Sequence, residues 1–400
     1  MITKEELKKI IILQKEELMQ KEIGIERELM QNIDLSTKHA IILSGIRRCG
    51  KSTLMQQLMK TDEKINYFNF EDYRALNFEL SDFQKLDEIF EELHGKEAYY
   101  FFDEIQNIDK WELFIRTKLD QGKKCIITGS NASLLSKELG TKLTGRHLTY
   151  ELFPFSYKEF LTYTKKKQSL QSFEEYFESG GFPEFLKEKN SEILRLLLNN
   201  ILTRDIIVRH KIRETKTIQQ LLIYLLTNIS REFSYNELAK TFNAGSPTSI
   251  INYISFFEDS YLLFTVPKFD YSYRKQLVNP KKIYSIDAGL IKTNAITFSS
   301  DNGRILENII FLQLRRKYTE IYYFKNKHEC DFIVRQKGKL LFAIQVCYLV
   351  NEENMQRELN GLKEAMDALK IKNGIIITFN QEDVLDKIKL IPAWKWLLDN

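Results

Sequence analysis

The sequence predicts an α/β protein built on a parallel sheet covered by helices, and three observations predict it. Between His39 and Glu151, short apolar runs of strand length alternate with amphipathic runs of helical period. A glycine-containing loop follows the first of those runs and leads straight into a helical pattern. From Lys281 to the end the same alternation returns after a long helical stretch, so a second α/β domain closes the chain.

Composition sets the frame for these elements. Four hundred residues exceed what one hydrophobic core usually supports, which predicts two or three domains. With 43% hydrophobic and 28% charged residues, only 6 Pro and 16 Gly, packed structure is expected nearly end to end. No run of eighteen apolar residues exists, and Met1 to Lys9 is charged with no apolar leader core, so the expectation is a cytoplasmic protein that neither spans a membrane nor is exported. Cys49, Cys125, Cys330 and Cys347 show no CxxC or metal-finger spacing and read as reduced thiols. A net charge of +4 permits nucleic-acid binding without requiring it.

In order along the chain, Thr3 to about Ile33 carries apolar residues at three-to-four spacing and predicts a helical arm over residues 1–35. Residues 36–153 form the sheet domain, with strands at His39–Ser44, Ile65–Asn69, Ala98–Phe102, Lys124–Thr128 and His147–Glu151. A parallel sheet places ligands at its strand ends. Residues 154–229 turn helical almost without interruption and read as a lid. Residues 230–280 offer a helix (Tyr235–Phe242), a turn with Gly245 and Pro247, a second helix (Thr248–Asp259) and the extended run Leu262–Val266, the order of a winged helix-turn-helix. Residues 281–400 contain strands at Ile283–Ile286, Ile321–Lys325, Asp331–Arg335, Leu340–Cys347 and Gly374–Thr378 among helices.

Gly45-Ile46-Arg47-Arg48-Cys49-Gly50-Lys51-Ser52 matches GxxxxGK[ST] between a strand and the helical run that begins at Thr53. Such a loop turns backbone N–H groups toward β- and γ-phosphates at a helix N-terminus whose dipole favours anions. Lys51 would add charge to the phosphates and Ser52 a hydroxyl to Mg²⁺, so a nucleoside triphosphate, ATP or GTP, with Mg²⁺ is the expected ligand. About fifty residues on, the apolar run Tyr99–Phe102 delivers Asp103 and Glu104 at its end. Asp103 would hold the Mg²⁺ shell, and Glu104 would act as general base toward water. After the next strand, Ser130 or Asn131 could position that water or could cap a helix over Ala132–Leu139. Arg146 is a candidate arginine finger, in cis or on a neighbouring subunit, with a surface arginine as the plain alternative.

Gly45–Thr53, Phe101–Gln106, Thr128–Leu135, Gly145-Arg146, Leu152-Phe153-Pro154-Phe155-Ser156 and Gly180-Gly181-Phe182-Pro183 together resemble the prokaryotic AAA-type ATPases with a C-terminal domain of unknown function. The run Gly303–Asn308 shares in that resemblance, which spans nearly the whole chain. It implies an AAA+ core, a helical lid, a winged helix and a C-terminal fold similar to the PD-(D/E)xK nucleases. In a site of that kind Asp331 and an acid at 345 would bind Mg²⁺, a lysine at 347 would stabilise hydroxide, and Glu307 would assist. Here 345 is Gln and 347 is Cys. An amide carries no charge for a hard cation and a thiol cannot replace an ammonium, so a catalytically degenerate domain is expected.

In the winged helix, Ser246, Thr248, Ser249, Asn252 and Ser255 could face nucleic acid, although Thr248–Asp259 has no Lys or Arg and ends in Glu258-Asp259. Supporting charge is expected from Lys240, Lys268, Arg274, Lys275, Lys281 and Lys282 on flanking loops. The resulting expectation is an ATPase coupled to DNA or a protein partner, with homo-oligomerisation if Arg146 acts across subunits. Two alternatives stand beside it: a slow nucleotide-gated scaffold, and a metal-dependent nuclease.

Overall fold

The structure is a computed structural model describing residues 2–59, 64–96, 99–130, 145–296 and 301–399. The chain divides into two compact units, Met1–Phe153 and Pro154–Asn400.

The first unit is organised by five parallel strands: β1 (Ala40–Ser44), β2 (Ile65–Asn69), β3 (Tyr99–Asp103), β4 (Cys125–Gly129) and β5 (His147–Glu151). Their order in the sheet is β2-β3-β4-β1-β5, so β4 lies between β1 and β3. β1 and β4 are buried along their whole length, which is why they read as continuous apolar runs. Phe68, Phe70, Phe83 and Phe102 meet in the core on one side of this sheet, and Phe83 stacks on Phe114 with centroids 4.5 Å apart.

The N-terminal helix, Lys4–Gln20, starts at a capping box made by Thr3 and Glu6 and buries Leu7, Ile10 and Ile11 in that same core. It stops at Gln20, short of the expected run to Ile33, because the chain turns extended at Lys21 and Gly24 takes a positive φ of 64°. The apolar residues beyond it serve another purpose: Gln57 donates to the carbonyls of Ile23 and Ile25, and Gln56 to those of Leu18 and Lys21. This segment is therefore stitched to the helix Lys51–Met59 and is no free arm.

The second unit opens with helices at Tyr157–Thr164, Leu170–Ser179, Pro183–Glu188 and Glu192–Asn200; the last runs on as a wider π turn over Ile201–Val208, and Thr215–Thr227 follows. The Gly180-Gly181 pair has a steric reason. A Cβ on Gly180 would stand 2.2 Å from Asp287 Oδ1, and the Gly181 N–H donates to Asp287 Oδ2 at 2.6 Å.

Next come β6 (Glu232–Phe233), the helices Tyr235–Thr241 and Pro247–Asp259, and β7 (Leu263–Pro267). The strand β8 (Lys281–Ser285) pairs antiparallel with both β6 and β7, giving a three-stranded sheet in the order β6-β8-β7. The sequence reading placed this strand at the start of the last domain; pairing assigns it to the preceding elements instead. The remaining strands, β9 (Glu320–Lys325), β10 (Glu329–Gln336), β11 (Lys339–Cys347), β12 (Gly374–Thr378), β13 (Asp383–Leu385) and β14 (Ile388–Pro392), form a mixed sheet in the order β13-β14-β12-β11-β10-β9. Helices Asn302–Lys317, Met355–Leu369 and Ala393–Asp399 accompany it. Among the described residues no helix is long and apolar enough to cross a membrane.

Candidate functional site

The phosphate-loop pattern occupies the turn between β1 and the helix that begins at Lys51. Gly45 has a φ of 150°, and a Cβ there would lie 2.1 Å from the Leu152 carbonyl oxygen, so only glycine lets β5's end pass so close to the loop. Arg48 and Gly50 also take positive φ, at 63° and 101°. Ile46 and Cys49 are buried beneath the loop, and the Cys49 thiol donates to the Leu152 carbonyl at 3.3 Å. Burial pushes that thiol's pKa up, which marks it as a packing group. Arg47 reaches sideways to Glu71, 2.9 Å away, and the Thr53 methyl lies 3.8 Å from where a Cβ on Gly24 would stand.

Lys51 is 5% exposed, and its ammonium donates to the carbonyls of Gly45 at 3.0 Å and Ile46 at 3.1 Å. It lies 3.8 Å from Glu104 Oε1. The acidic pair stands at the end of β3, with Asp103 buried and Glu104 partly open in the left-handed region at φ 52°. Burial, then the neighbouring Glu104 charge, raise the Asp103 pKa, while the hydroxyls of Thr128 and Ser52 and the Lys51 charge oppose that rise.

Thr128 was not singled out in the sequence, yet it joins the two acids. Its Oγ1 donates to Asp103 Oδ1 and accepts from the Glu104 backbone N–H at 2.9 Å. Gln106 Nε2 donates to Glu104 Oε2, and the buried Tyr67 stands on the neighbouring strand, where the Asp103 charge adds to burial in raising its phenol pKa. Thr128 and Tyr67 come into view only once β2, β3 and β4 are placed side by side. Arg27 is the other residue the sequence concealed: 2% exposed, it donates to the Cys49 carbonyl at 2.8 Å and the Phe153 carbonyl at 2.6 Å, bracing the loop from behind.

The structure thus brings Lys51, Ser52, Asp103 and Glu104 together, and Ser130 joins them. β4 pairs with β1 such that Ser44 faces Gly129, which puts the buried Ser130 at the same sheet end as the loop. Asn131 and the helix expected over Ala132–Leu139 lie outside the described residues.

Arg146 is elsewhere. β5 runs parallel to β1 with His147 beside Ala40, and the Ala40 N–H donates to the Arg146 carbonyl, so Arg146 stands at the start of the sheet. Five strand residues at about 3.3 Å each separate that edge from the loop, roughly 15 Å. Its guanidinium pairs with Asp120. That placement corrects the cis arginine-finger expectation: a parallel neighbour of β1 cannot present its first residue at the far end of the sheet.

In the second unit, Glu307 and Asp331 do come together, around a cation the sequence reading misplaced. Lys282 was expected on a basic flanking loop; it lies within β8, is 2% exposed, and its Nζ sits 3.0 Å from Glu307 Oε1, 2.8 Å from Asp331 Oδ1 and 2.7 Å from Glu329 Oε1. Tyr284 donates to Glu307 at 2.6 Å, and the Val346 N–H donates to Asp331 at 2.9 Å. Gln345 accepts from the Asp331 N–H at 3.3 Å and donates to Glu358 at 2.7 Å. Burial, with the Asp331 charge second, pushes the Glu307 pKa up against the opposing charge of Lys282; the Cys347 thiol is pushed up to about 12, mainly by burial. Burial works against the Lys282 ammonium, but the charges of Asp331 and Glu307 hold its pKa well above the usual value.

Glu258, near the end of the second helix of the winged-helix pattern, accepts from the Thr265 N–H and hydroxyl at 3.0 and 2.7 Å. On that helix Thr248 and Asn252 are exposed, while Ser246, Ser249 and Ser255 are half-buried.

Residues 37–161 match the AAA domain family, 170–301 a domain of unknown function (DUF8612), and 302–396 another (DUF4143). An uncharacterized protein of Haemophilus influenzae is 29% identical over 94% of this chain and 98% of its own length. Solved structures with similar arrangements include AMPPCP-bound DnaA from Aquifex aeolicus, at a TM-score of 0.27 and 16% identity over 58% of this chain and 85% of that one. A TM-score of that size transfers nothing about ligands. An uncharacterized protein of Methanocaldococcus jannaschii is 37% identical over 97% of this chain and 98% of its own length. The chain therefore belongs to the same family as that M. jannaschii protein, and its N-terminal unit is an AAA-type P-loop domain.

Proposed function

We propose that the N-terminal unit binds ATP with Mg²⁺ and hydrolyses it, and that the observation carrying this reading is the linkage of Asp103 and Glu104 through Thr128 beside Lys51. The loop from Gly45 through Ile46, Arg47, Arg48, Cys49 and Gly50 would offer its N–H groups to the phosphates, with Lys51 as the charge and Thr53 at the helix start. The Ser52 hydroxyl, which helps hold the Asp103 pKa down, and the Asp103 carboxylate fit a Mg²⁺ shell. Mg²⁺ when bound neutralises charge on the phosphate oxygens. Glu104 takes a proton from water as the water oxygen bonds to the γ-phosphorus and the bond to the β-phosphate oxygen breaks, giving ADP and phosphate. The buried Ser130, at the same sheet end, would hold that water. Arg146 can serve only a second copy of the chain.

Comparing ATP turnover by the wild type and by Glu104→Gln, with and without DNA and across protein concentration, tests the assignment. Turnover that depends on Glu104 sustains it. Binding of ATP with turnover no faster than in Glu104→Gln under any condition replaces it with a nucleotide-gated scaffold. A rate that climbs with protein concentration and needs Arg146 would support homo-oligomerisation.

A coupling of this cycle to nucleic acid is favoured by a separate feature of the second unit. The order of Thr215–Thr227, β6, two helices and the β7–β8 hairpin supports a winged helix. Its cations avoid the helix Pro247–Asp259 and gather on the β7–β8 connection, where Arg274 and Lys275 flank the exposed Tyr271 and Tyr273. A cavity of about 600 Å³ opens beside them, lined by Tyr271 and Asp270 of this connection and by Arg335, Lys339 and Lys370 from two distant turns. Cations interleaved with open aromatic rings suit a phosphodiester chain with unstacked bases. Single-stranded DNA binding that falls with salt, and falls again in a Tyr271→Ala, Tyr273→Ala double variant, is the expected result; binding unchanged by that variant would move the contact elsewhere.

A further inference from the structure

The cluster around Lys282 lies outside the nucleotide machinery and does not depend on the ATPase reading. Three carboxylates from two elements, Glu307 on the helix Asn302–Lys317 and Glu329 and Asp331 on β10, point at one centre. The centre is filled by an ammonium from a third element, β8. Carboxylate oxygens 2.7–3.0 Å from a common point form an oxygen cage slightly wider than the 2.3–2.6 Å typical of Ca²⁺. Among the described residues no group of three His, Cys, Asp or Glu side chains stands in a metal-holding arrangement, and here the space such an ion needs is taken by Nζ.

We propose that Lys282 is the resident cation of this cage, standing where a divalent ion would otherwise be held, so that the C-terminal sheet is a metal-free module fastened to the β6-β8-β7 sheet. The charge arithmetic supports the exchange. A buried pair of carboxylates without a counter-ion is strongly unfavourable, and either an ammonium or a hard divalent ion relieves it. Its neighbours are committed to the same arrangement: Tyr284 donates to Glu307, Lys325 pairs with Glu329 at 3.2 Å, and the Val346 N–H holds Asp331. Gln345 and Cys347, the two departures from the nuclease pattern, follow from it. With the cation supplied internally, position 345 is released from charge and binds Glu358, and position 347 becomes a buried thiol. The cluster also gives β8 a reason to be charged at a buried position, since Lys282 is its only link of this kind to the C-terminal carboxylates among the described residues.

The test is Ca²⁺ binding to the full-length, nucleotide-free protein by titration calorimetry. Wild type and Lys282→Arg, which keeps the charge, are expected to bind no Ca²⁺ at this cage. Lys282→Ala is expected to bind one Ca²⁺ per chain, at least tenfold more tightly than wild type, to lose that site when Asp331→Asn is added, and to melt higher with Ca²⁺ than without. Wild-type Ca²⁺ binding that Asp331→Asn removes would overturn the proposal, because the cage would then accept metal with Lys282 in place. A Lys282→Ala protein that binds none, or stays as unfolded with Ca²⁺ as without it, would overturn it equally, because the ion would not substitute for the ammonium.

Discussion

The Thr128 hydroxyl touches both acids of the nucleotide site: it donates to the Asp103 carboxylate and accepts from the Glu104 N–H at 2.9 Å. One side chain from β4 therefore holds both the Asp103 carboxylate and the backbone N–H of the left-handed Glu104.

Thr128→Val keeps the β-branched shape and removes both bonds. Losing a bond to a buried charged group costs about 1.5–3 kcal/mol, so kcat should fall on the order of 10- to 100-fold while ATP affinity moves little. Steady-state ATPase kinetics beside an equilibrium binding measurement would check this; unchanged kcat would remove Thr128 from the reaction.

Gly45→Ala should be among the most damaging single methyl additions in the first unit. The new Cβ would press to 2.1 Å from the Leu152 oxygen at a φ that side chains avoid. A fall in thermal stability of at least about 2 kcal/mol, with ATP affinity lost alongside, is expected from denaturant melts and nucleotide binding.

Arg27→Ala leaves the carbonyls of Cys49 and Phe153 without their shared donor. The expected loss is about 3 kcal/mol of stability, together with a raised KM for ATP, since the loop backbone loses its brace. Arg27→Lys should recover only part of it, because one ammonium cannot reproduce the fork that reaches both oxygens.

Asp287 is held above the usual carboxylate range by burial, at about 6. A raised folded-state pKa means the folded chain keeps its proton after the unfolded chain has lost it. Its contribution to stability is thus fully present below pH 3.8 and is lost as pH rises through 6. The melting temperature of Asp287→Asn should depend less on pH between about 4 and 6 than that of the wild type, which a calorimetric pH series would show.

That four residues would gather at the loop was legible without a structure. Lys51 and Ser52 follow a glycine loop that only makes sense between a strand and a helix, and Asp103-Glu104 end an apolar strand, so local periodicity and turn chemistry were enough. Strand order was not legible. The sequence alone left β4's position open, and with it the link from Thr128 to the acids. It offered Arg146 as a neighbour of the phosphates, when a parallel register holds that residue at the opposite sheet edge. It likewise read Lys282 as one cation among several on a basic loop. Only the antiparallel pairing of β8, which turns that side chain inward toward Glu307, Glu329 and Asp331, revealed a buried ammonium. The physical reason is common to all three: backbone pattern repeats every two or 3.6 residues and is written locally, whereas which strand lies beside which is decided by burial summed over the whole chain.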